Sequence, residues 1–171
     1  MLDSPTRDRL IADDPGCSRI INQYLRGQDV SRWAAEWGGM WLVQLASSGD
    51  QLWPWTGASE IAAEAVFRHT FPSLHAFMKP RKVALRKPKD QGRFWWELRA
   101  CACYAEFAKP KVVYQEIQFH PSCALDESGS LLNNKASMIT TPSPWLLAVL
   151  NSPLMWWFNW RYLPHMKDEA L

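Results

Sequence analysis

The chain has 171 residues, 47% of them hydrophobic and 21% charged, a composition typical of a single globular domain with a sizeable core. Its apolar runs are shorter than the ~20 residues of a membrane span, and the charged start "MLDSPTRDRL" does not fit a signal peptide. Four cysteines are too few for a secreted disulfide scaffold. We therefore expect a cytoplasmic protein with reduced thiols and no association with a membrane.

Positive charge is concentrated in one segment, although the net charge is only +2. From Lys79 to Lys111 there are ten Lys or Arg against three Asp or Glu, a local +7, and the remainder holds nine against fourteen, a local −5. Such asymmetry is the electrostatic footprint of a surface that faces phosphates. The simpler alternative is a solvated basic face.

The first part of the chain predicts a tether followed by strands. Residues 1–18 mix turn formers with acids and are interpreted as a linker from an upstream region. From Arg19, "RIINQYL" predicts a strand that ends in a turn at Gly27, and "MWLVQL" (Met40 to Leu45) predicts a buried strand.

Helices are predicted for the middle of the chain. Ser59 can cap a helix through "EIAAEAVFRH", and Pro72 interrupts it before a second helical piece that runs towards Pro88. The stretch "WWELRACACYAEF" is also predicted to be helical, because it contains good helix formers. Since neighbours on a helix point in different directions, we expect one of Trp95 and Trp96 to be buried and the other to lie near the surface.

The last third of the chain predicts three strands and two helices. "KPKVVYQEIQFHPSCALDESG" reads as two strands around His120 and Pro121, and "KASMITT" reads as a third. Two Ser-Pro pairs then start helices, and Pro164 ends the second one before a polar tail, 164–171. The predicted fold class is α+β, with a small mixed or antiparallel sheet flanked by helices and a C-terminal helical pair.

Motifs of catalysis are missing from the sequence, so we do not expect this chain alone to be an enzyme. It has no phosphate-cradling glycine loop, no Gly-x-Ser-x-Gly and no His-Glu-x-x-His. Asp90 and Glu97 are followed by Leu98 and Arg99, where a metal-dependent nuclease would need a nearby lysine.

A zinc site is the alternative reading of the cysteines. Cys101, Cys103, His120 and Cys123 could in principle supply four ligands, but structural zinc takes paired ligands two to four residues apart on tight turns. Cys-x-Cys in a helix points its thiols in different directions. We therefore predict no metal site. A small enzyme that uses Cys123 and His120 is a further alternative, which requires the two side chains to lie within hydrogen-bond reach.

The eleven tryptophans allow two interpretations. Exposed aromatic faces can stack on bases beside arginines such as Arg93 and Arg99. Aromatic side chains within helices usually pack inward, however, and Trp156, Trp157 and Trp160 fall on one helical stripe. For these three the pattern favours a core or partner-facing role.

Three stretches in a fixed order carry a family resemblance: "YLRGQDVSRW" (Tyr24 to Trp33), "FWWELR" leading to "KPKVVYQEI" (Phe94 to Ile117), and "WLLAVLNSPLMWWF" (Trp145 to Phe158). The arrangement resembles the TaqI-like C-terminal specificity domain, the target recognition module of adenine-specific DNA methyltransferases and of type II and IIG restriction-modification enzymes. We assign it to residues 19–163. The resemblance implies a target-recognition-domain fold.

The match rests on short motifs of that family. Its Leu-x-Gly-x-Asp turn corresponds to Leu25, Gly27 and Asp29. Its Trp-x-x-Leu-Arg motif, which precedes a Lys-Pro-Lys strand, is partly matched by residues 96–99. Its closing Leu-Asn-Ser motif corresponds to residues 150–152. Little between residues 41 and 93 can be aligned, so the resemblance implies no base identity.

The resemblance also implies a division of labour. Family enzymes carry methyl transfer in a catalytic methyltransferase domain that binds S-adenosylmethionine, and some parents also cleave DNA. No cofactor is therefore expected in this chain, and its expected partners are double-stranded DNA and that catalytic domain.

Lysines and arginines would dock on phosphates while polar side chains reach base edges. Gly27 and Asp29 are expected to shape a turn rather than to touch DNA. The residues predicted to dock on phosphates are Lys79, Arg81, Lys82, Arg86, Lys87, Lys89, Lys109 and Lys111. Those predicted to contact a base or the backbone are Arg93, Arg99, Gln115 and Lys135.

One alternative function has a different chemistry. The tryptophan-rich C-terminal helices could dock a methyltransferase or translocase subunit, in which case the chain would be a protein interaction module. An exposed patch of Trp156, Trp157 and Trp160, with no basic groove, would favour that alternative.

Overall fold

The computed structural model describes residues 1–86 and 91–164. The chain forms two compact units, each made of two segments. Unit 1 contains Met1–Asn22 and Trp41–Tyr104, and unit 2 contains Gln23–Met40 and the chain from Ala105 onward.

Unit 1 is mainly helical, with a small sheet. Its elements are strand β1 (Leu2–Asp3), helix α1 (Ser4–Asp13), a 3-10 turn (Pro15–Arg19), the start of β2 (Ile21–Leu25), β3 (Met40–Val43), α2 (Glu60–Thr70), α3 (Pro72–Met78), a 3-10 turn (Lys79–Arg81) and α4 (Lys82–Leu85). In the sheet, β3 lies between β1 and β2. The strands predicted after Arg19 and from Met40, and the helix break at Pro72, are confirmed, but β3 is half-buried rather than buried as predicted.

The first eighteen residues fold within unit 1, so the predicted tether is wrong. Asp3 caps α1 by accepting the Thr6 amide at 3.0 Å, and a proline in the first turn favours the helix. Leu2, Leu10 and Cys17 are buried in the unit's core. The turn-forming acids that suggested a linker act as caps at the ends of these short elements.

Aromatic rings fill the core of unit 1. Trp55, Phe67 and Phe71 are fully buried, and Trp55 packs edge-on against Phe67 with ring centroids 5.5 Å apart. Phe67 stacks on Trp96 at 4.9 Å. Each such ring buries a large apolar area, so most of the tryptophan excess in this half of the chain stabilises a core.

The stretch around Trp95 and Trp96 is not helical, contrary to the prediction. It runs as turns and irregular backbone from Gln91 to Cys103, and both tryptophans are buried. The buried Glu97 carboxylate organises it by accepting the Trp55 indole N–H at 2.9 Å and the Ser48 amide at 3.1 Å. Tertiary packing of the rings and this carboxylate outweigh local helix propensity.

Unit 2 is built on a three-stranded antiparallel sheet in the order β5-β4-β7. The first segment of unit 2 contains the second half of β2, a 3-10 turn (Gly27–Asp29) and the start of β3. Its second segment begins within α5 (Tyr104–Phe107). Its further elements are β4 (Lys111–Gln115), β5 (Cys123–Asp126), β6 (Leu131–Leu132), β7 (Ala136–Ile139), α6 (Pro144–Leu150) and α7 (Pro153–Tyr162). β2 pairs with β6 in parallel.

The predicted strands and the C-terminal helical pair are confirmed. Ser143 and Ser152 cap α6 and α7, each accepting an amide three residues on. Helix α7 ends at Tyr162, two residues before Pro164. The structure therefore has the predicted α+β class, with a mixed sheet and an antiparallel sheet flanked by helices. Within the described residues, no helix is both long and apolar enough to cross a membrane.

Candidate nucleic-acid interface

The predicted basic residues are divided between the two units. Three of those in unit 1 contact carboxylates of α2: Glu64 accepts bonds from Lys79 and from Lys82, the latter at 2.7 Å. Arg86 pairs with Glu60. These cations are therefore partly neutralised by carboxylates, although Lys79 and Arg86 each keep about half of their side chain exposed. The Arg86–Glu60 pair is half exposed on both sides and is therefore weak, whereas Glu64 and Lys82 are mostly buried.

Glu64 is the centre of this cluster. Burial would raise the pKa of its carboxyl, but hydrogen bonds from Lys79, Lys82 and His75 outweigh that effect and hold the pKa well below its usual value. The Trp95 indole also donates to it, at 3.2 Å. The cluster joins α2, α3 and the aromatic core, which is a structural role.

Other predicted residues of unit 1 lie apart from Glu64. The Arg81 guanidinium donates to the Phe77 carbonyl at 2.5 Å and stands over the Phe77 ring. Arg93 and Arg99 are exposed, and Arg93 stands 5.6 Å from the Phe94 ring centroid. Lys87 and Lys89 lie outside the described residues.

Lys111 is a correction to the predicted contact set. Its side chain is completely buried, and its ammonium donates to Asp126 at 2.6 Å and to the Phe107 carbonyl at 2.8 Å. Burial would raise the pKa of Asp126, but the bonds from Lys111 and Ser128 leave that pKa below its ordinary value. A lysine in this position cannot reach a phosphate. It holds β4 against β5 instead.

Two predicted residues of unit 2 meet at one end of its sheet. β4 ends at Gln115, opposite Ala136 of β7, and the Glu116 amide donates to the carbonyl of exposed Lys135 at 3.1 Å. The Gln115 side chain donates to the Val30 carbonyl at 2.7 Å, at the base of the turn Ser31–Ala34. Lys109 lies elsewhere in unit 2 and pairs with Glu106 at 2.6 Å.

The turn Ser31–Ala34 carries two side chains that the sequence did not single out. The Trp33 amide donates to the carbonyl of Cys123, the first residue of β5, at 2.9 Å. Its indole is 51% exposed. Arg32 donates to the Asn151 carbonyl at 2.8 Å and stands over the Trp33 ring. The turn therefore lies at the same end of the sheet as Gln115.

The loop 116–122, between β4 and β5, completes this end. It exposes Phe119 to 68% and carries His120, whose Nδ1 contacts the Ser122 hydroxyl at 3.2 Å. We call the turn 31–34, the loop 116–122 and the turn 133–135 the sheet-end surface. It combines exposed aromatic, amide and basic groups, the side chains that contact nucleic acids.

The short motifs of the sequence form the framework of the sheet-end surface. Asn151 is fully buried, and its amide bonds to both the N–H and the carbonyl of Cys123. Asp29 accepts the Arg26 amide at 2.8 Å and pairs with its guanidinium at 2.7 Å. Gly27 passes so close to the Lys135 backbone that an added Cβ would lie 2.5 Å from its oxygen. Gly27 and Asp29 thus shape a turn.

The buried cysteines Cys17 and Cys123 do not support nucleophilic catalysis. Burial raises the pKa of both Cys17 and Cys123 to about 11, so neither is a thiolate near neutral pH. The described partner of His120 is Ser122 rather than Cys123. Within residues 1–86 and 91–164, no group of three or more His, Cys, Asp or Glu side chains could hold a metal ion.

A family comparison agrees with this arrangement. The family model of the TaqI-like C-terminal specificity domain matches residues 22–170, nearly the whole chain. The chain belongs to this family. A search of curated proteins found no match. Members of the family are DNA sequence-specificity modules of restriction-modification enzymes, which bind DNA in association with a methyltransferase part.

Within this specificity domain, sequence patterns located the framework better than the surface. The motif residues 25–29 and 150–152 fall where unit 2 needs a tight turn and a buried amide. Arg32, Trp33 and Phe119 were missed because an exposed aromatic in a loop has no periodic pattern. "VSRW", which directly follows the Gly-x-Asp turn, is the one local signal that could have identified Trp33.

Proposed function

We propose that this specificity domain recognises a short sequence in double-stranded DNA for an adenine-specific methyltransferase of a restriction-modification system. The observation that carries the proposal is the arrangement of the family's motif residues, which support an exposed surface of aromatic, amide and basic side chains. Methyl transfer and S-adenosylmethionine binding belong to the catalytic part of the parent enzyme. We place that parent among type IIG enzymes of the cytoplasm, which also cleave DNA.

In this proposal lysines and arginines contact phosphates, and the sheet-end surface with the adjoining Gln115 contacts bases. Gln115 and Lys135 are the base or backbone contacts of unit 2, and Arg93 and Arg99 are those of unit 1. Because each neutralised phosphate releases counterions, docking makes affinity depend on salt. The residues that would dock on phosphates are Lys79, Arg81, Lys82, Arg86, Lys87, Lys89 and Lys109.

Salt dependence of duplex binding tests the proposal. The logarithm of affinity should fall linearly with the logarithm of salt concentration, with a slope of roughly 0.9 per neutralised phosphate. Lys109→Gln, at a side chain that is 58% exposed, should lower the slope by about one such increment. Arg68→Gln removes the same charge from an exposed position of α2 outside the proposed set and should leave the slope unchanged. A flat salt response of the unaltered chain would contradict DNA docking.

The exposed apolar face of the helical pair supports a second candidate function. Trp145, Trp157 and Tyr162 are 78%, 59% and 64% exposed, and α7 buries none of its residues. A contiguous exposed face of aromatic side chains is normally covered by other protein. Five exposed aromatics of the pair leave on the order of 600 Å² accessible, close to one side of a standard interface. The helices would dock the methyltransferase part.

Binding between this chain and the methyltransferase part of the same enzyme tests the second candidate. The double variant Trp145→Ser, Trp157→Ser should abolish that binding while preserving the salt slope for DNA. Ile61→Ser, at a position of α2 that is 87% exposed, is the matched control and should bind normally. Unchanged affinity of the double variant would contradict docking through these helices.

A further inference from the structure

Trp33 adopts a backbone conformation that tryptophan rarely takes. Its φ is +74°, and it is the only non-glycine residue with positive φ in the described part of the chain. The left-handed region favours Gly, Asn or Asp, since a Cβ crowds the following carbonyl. A turn shaped only for folding would place one of those residues here. Strained positions of this kind persist where surrounding contacts fix them, and they cluster at functional sites.

Four contacts fix the backbone of this turn. The Trp33 amide donates to the Cys123 carbonyl at 2.9 Å, and the Ser31 amide donates to the Ala34 carbonyl at 2.8 Å. The Ser31 hydroxyl donates to the same carbonyl at 3.1 Å, and Val30 forms a bridge with Ala35 at the base. The indole is therefore presented by a rigid support, although half of its surface faces solvent.

Arg32 adds a second ordered group beside the indole. Its guanidinium carbon lies 5.5 Å from the Trp33 ring centroid, and its Nη2 donates to the Asn151 carbonyl. The described partner of Arg32 is a carbonyl and not a carboxylate, so its positive charge is not neutralised by that contact. A rigid aromatic ring with a guanidinium over it suits a flat, electron-rich group that is attached to a negative backbone.

We propose that Trp33, with Arg32 over its ring, stacks on the face of a nucleobase that is unstacked from the duplex at the recognised site. This inference rests on the proposed function and names one contact within it. Aromatic faces accept any base by stacking, so Trp33 contributes affinity for a distorted step. Polar neighbours such as Gln115 supply discrimination between bases.

Duplexes with one unpaired purine test this contact. The dissociation constants of the chain are measured for a fully paired duplex and for the same duplex with a single-purine bulge. Wild type should bind the bulged duplex about tenfold more tightly, a factor within the range of one base stack. Trp33→Ala should lose that preference, and Trp33→Phe should keep most of it. The control Leu52→Ala removes an exposed apolar side chain outside both proposed surfaces and should keep all of it.

The outcomes separate this contact from the proposed function. Two results would overturn the stacking role and leave DNA docking in place, provided that wild type binds both duplexes with a steep salt slope. One is a bulge preference that Trp33→Ala keeps, and the other is a wild type with no bulge preference. A flat salt slope of wild type instead contradicts the proposed function. Trp33→Gly fits the turn's φ, so it should lose the bulge preference while its thermal midpoint stays at or above that of wild type. A lower midpoint would assign Trp33 to folding instead.

Discussion

At the scale of single residues, Lys111 shows how burial changes the meaning of a charge. The sequence places it in the most basic segment, yet its ammonium is enclosed with Asp126 at 2.6 Å. Removing one partner of a buried pair leaves an uncompensated charge, which costs about 3 to 5 kcal/mol. Lys111→Ala should therefore lower the free energy of unfolding by that amount in a denaturant titration.

Lys109→Ala is the matched control for this prediction. Lys109 lies two residues before Lys111 and pairs with Glu106, but 58% of the Lys109 side chain is exposed. Exposed pairs contribute about 0 to 1 kcal/mol. Equal losses from the two substitutions would show that Lys111 is not buried as described.

Three carboxylates predict the behaviour of the chain in acid. Burial acts to raise the pKa values of Asp29, Glu64 and Asp126, but hydrogen bonds from basic partners leave each pKa below its ordinary value. The partner of Asp29 is Arg26, those of Glu64 are Lys79 and Lys82, and that of Asp126 is Lys111. A lowered folded-state pKa stabilises the fold above the unfolded-state pKa, and this contribution is lost as the pH falls towards the folded value.

The free energy of unfolding should therefore decrease as the pH falls below about 4, the ordinary carboxyl pKa. Asp126→Asn should be less stable than wild type near pH 7, and the difference should shrink as the pH approaches 2. Denaturant titrations from pH 7 to 2 measure both curves. A constant difference over that range would contradict the assigned role of Asp126.

At the scale of elements, Gly27 and the turn it starts connect two parts of unit 2. An added Cβ would meet the Lys135 backbone oxygen at 2.5 Å, and backbone cannot move aside as cheaply as a side chain. Gly27→Ala should cost about 1 to 3 kcal/mol, as overpacking does. Thermal unfolding measures the loss. Gly49→Ala, whose Cβ would lie 3.5 Å from the Ser47 hydroxyl, should leave stability nearly unchanged.

Elements with a local signal were predicted from the sequence, and those made by tertiary contacts were not. Ser-Pro starts located α6 and α7, and strand-forming residues located β4 and β5, because capping and strand propensity act over a few residues. Helix was predicted for residues 95–107 but forms only at Tyr104–Phe107. Local propensity says nothing of Glu97, which receives bonds from residues more than forty positions away. The short strand β6 also depends on a distant partner, β2.

At the scale of the whole molecule, the charge count of the sequence overstated the basic surface. The segment from Lys79 to Lys111 is divided between two units, and several of its cations are paired with Glu60, Glu64, Glu106 or Asp126. Those acids lie close in the fold, which a count along the chain cannot show. The family was recognisable because its motifs build the turn and the buried amide on which unit 2 depends.

Selection of bound sequences from a random duplex pool tests the central claim, sequence-specific recognition, most directly. The chain is mixed with duplexes that carry a randomised central segment, bound DNA is recovered over several rounds near physiological salt, and the recovered sequences are compared with the input. We predict enrichment of one short sequence. Gln115→Ala should weaken the base preference at a single position of that sequence. Lys79→Gln should lower the affinity for all sequences equally and leave the preference unchanged. Recovery of DNA with the composition of the input pool would contradict the account.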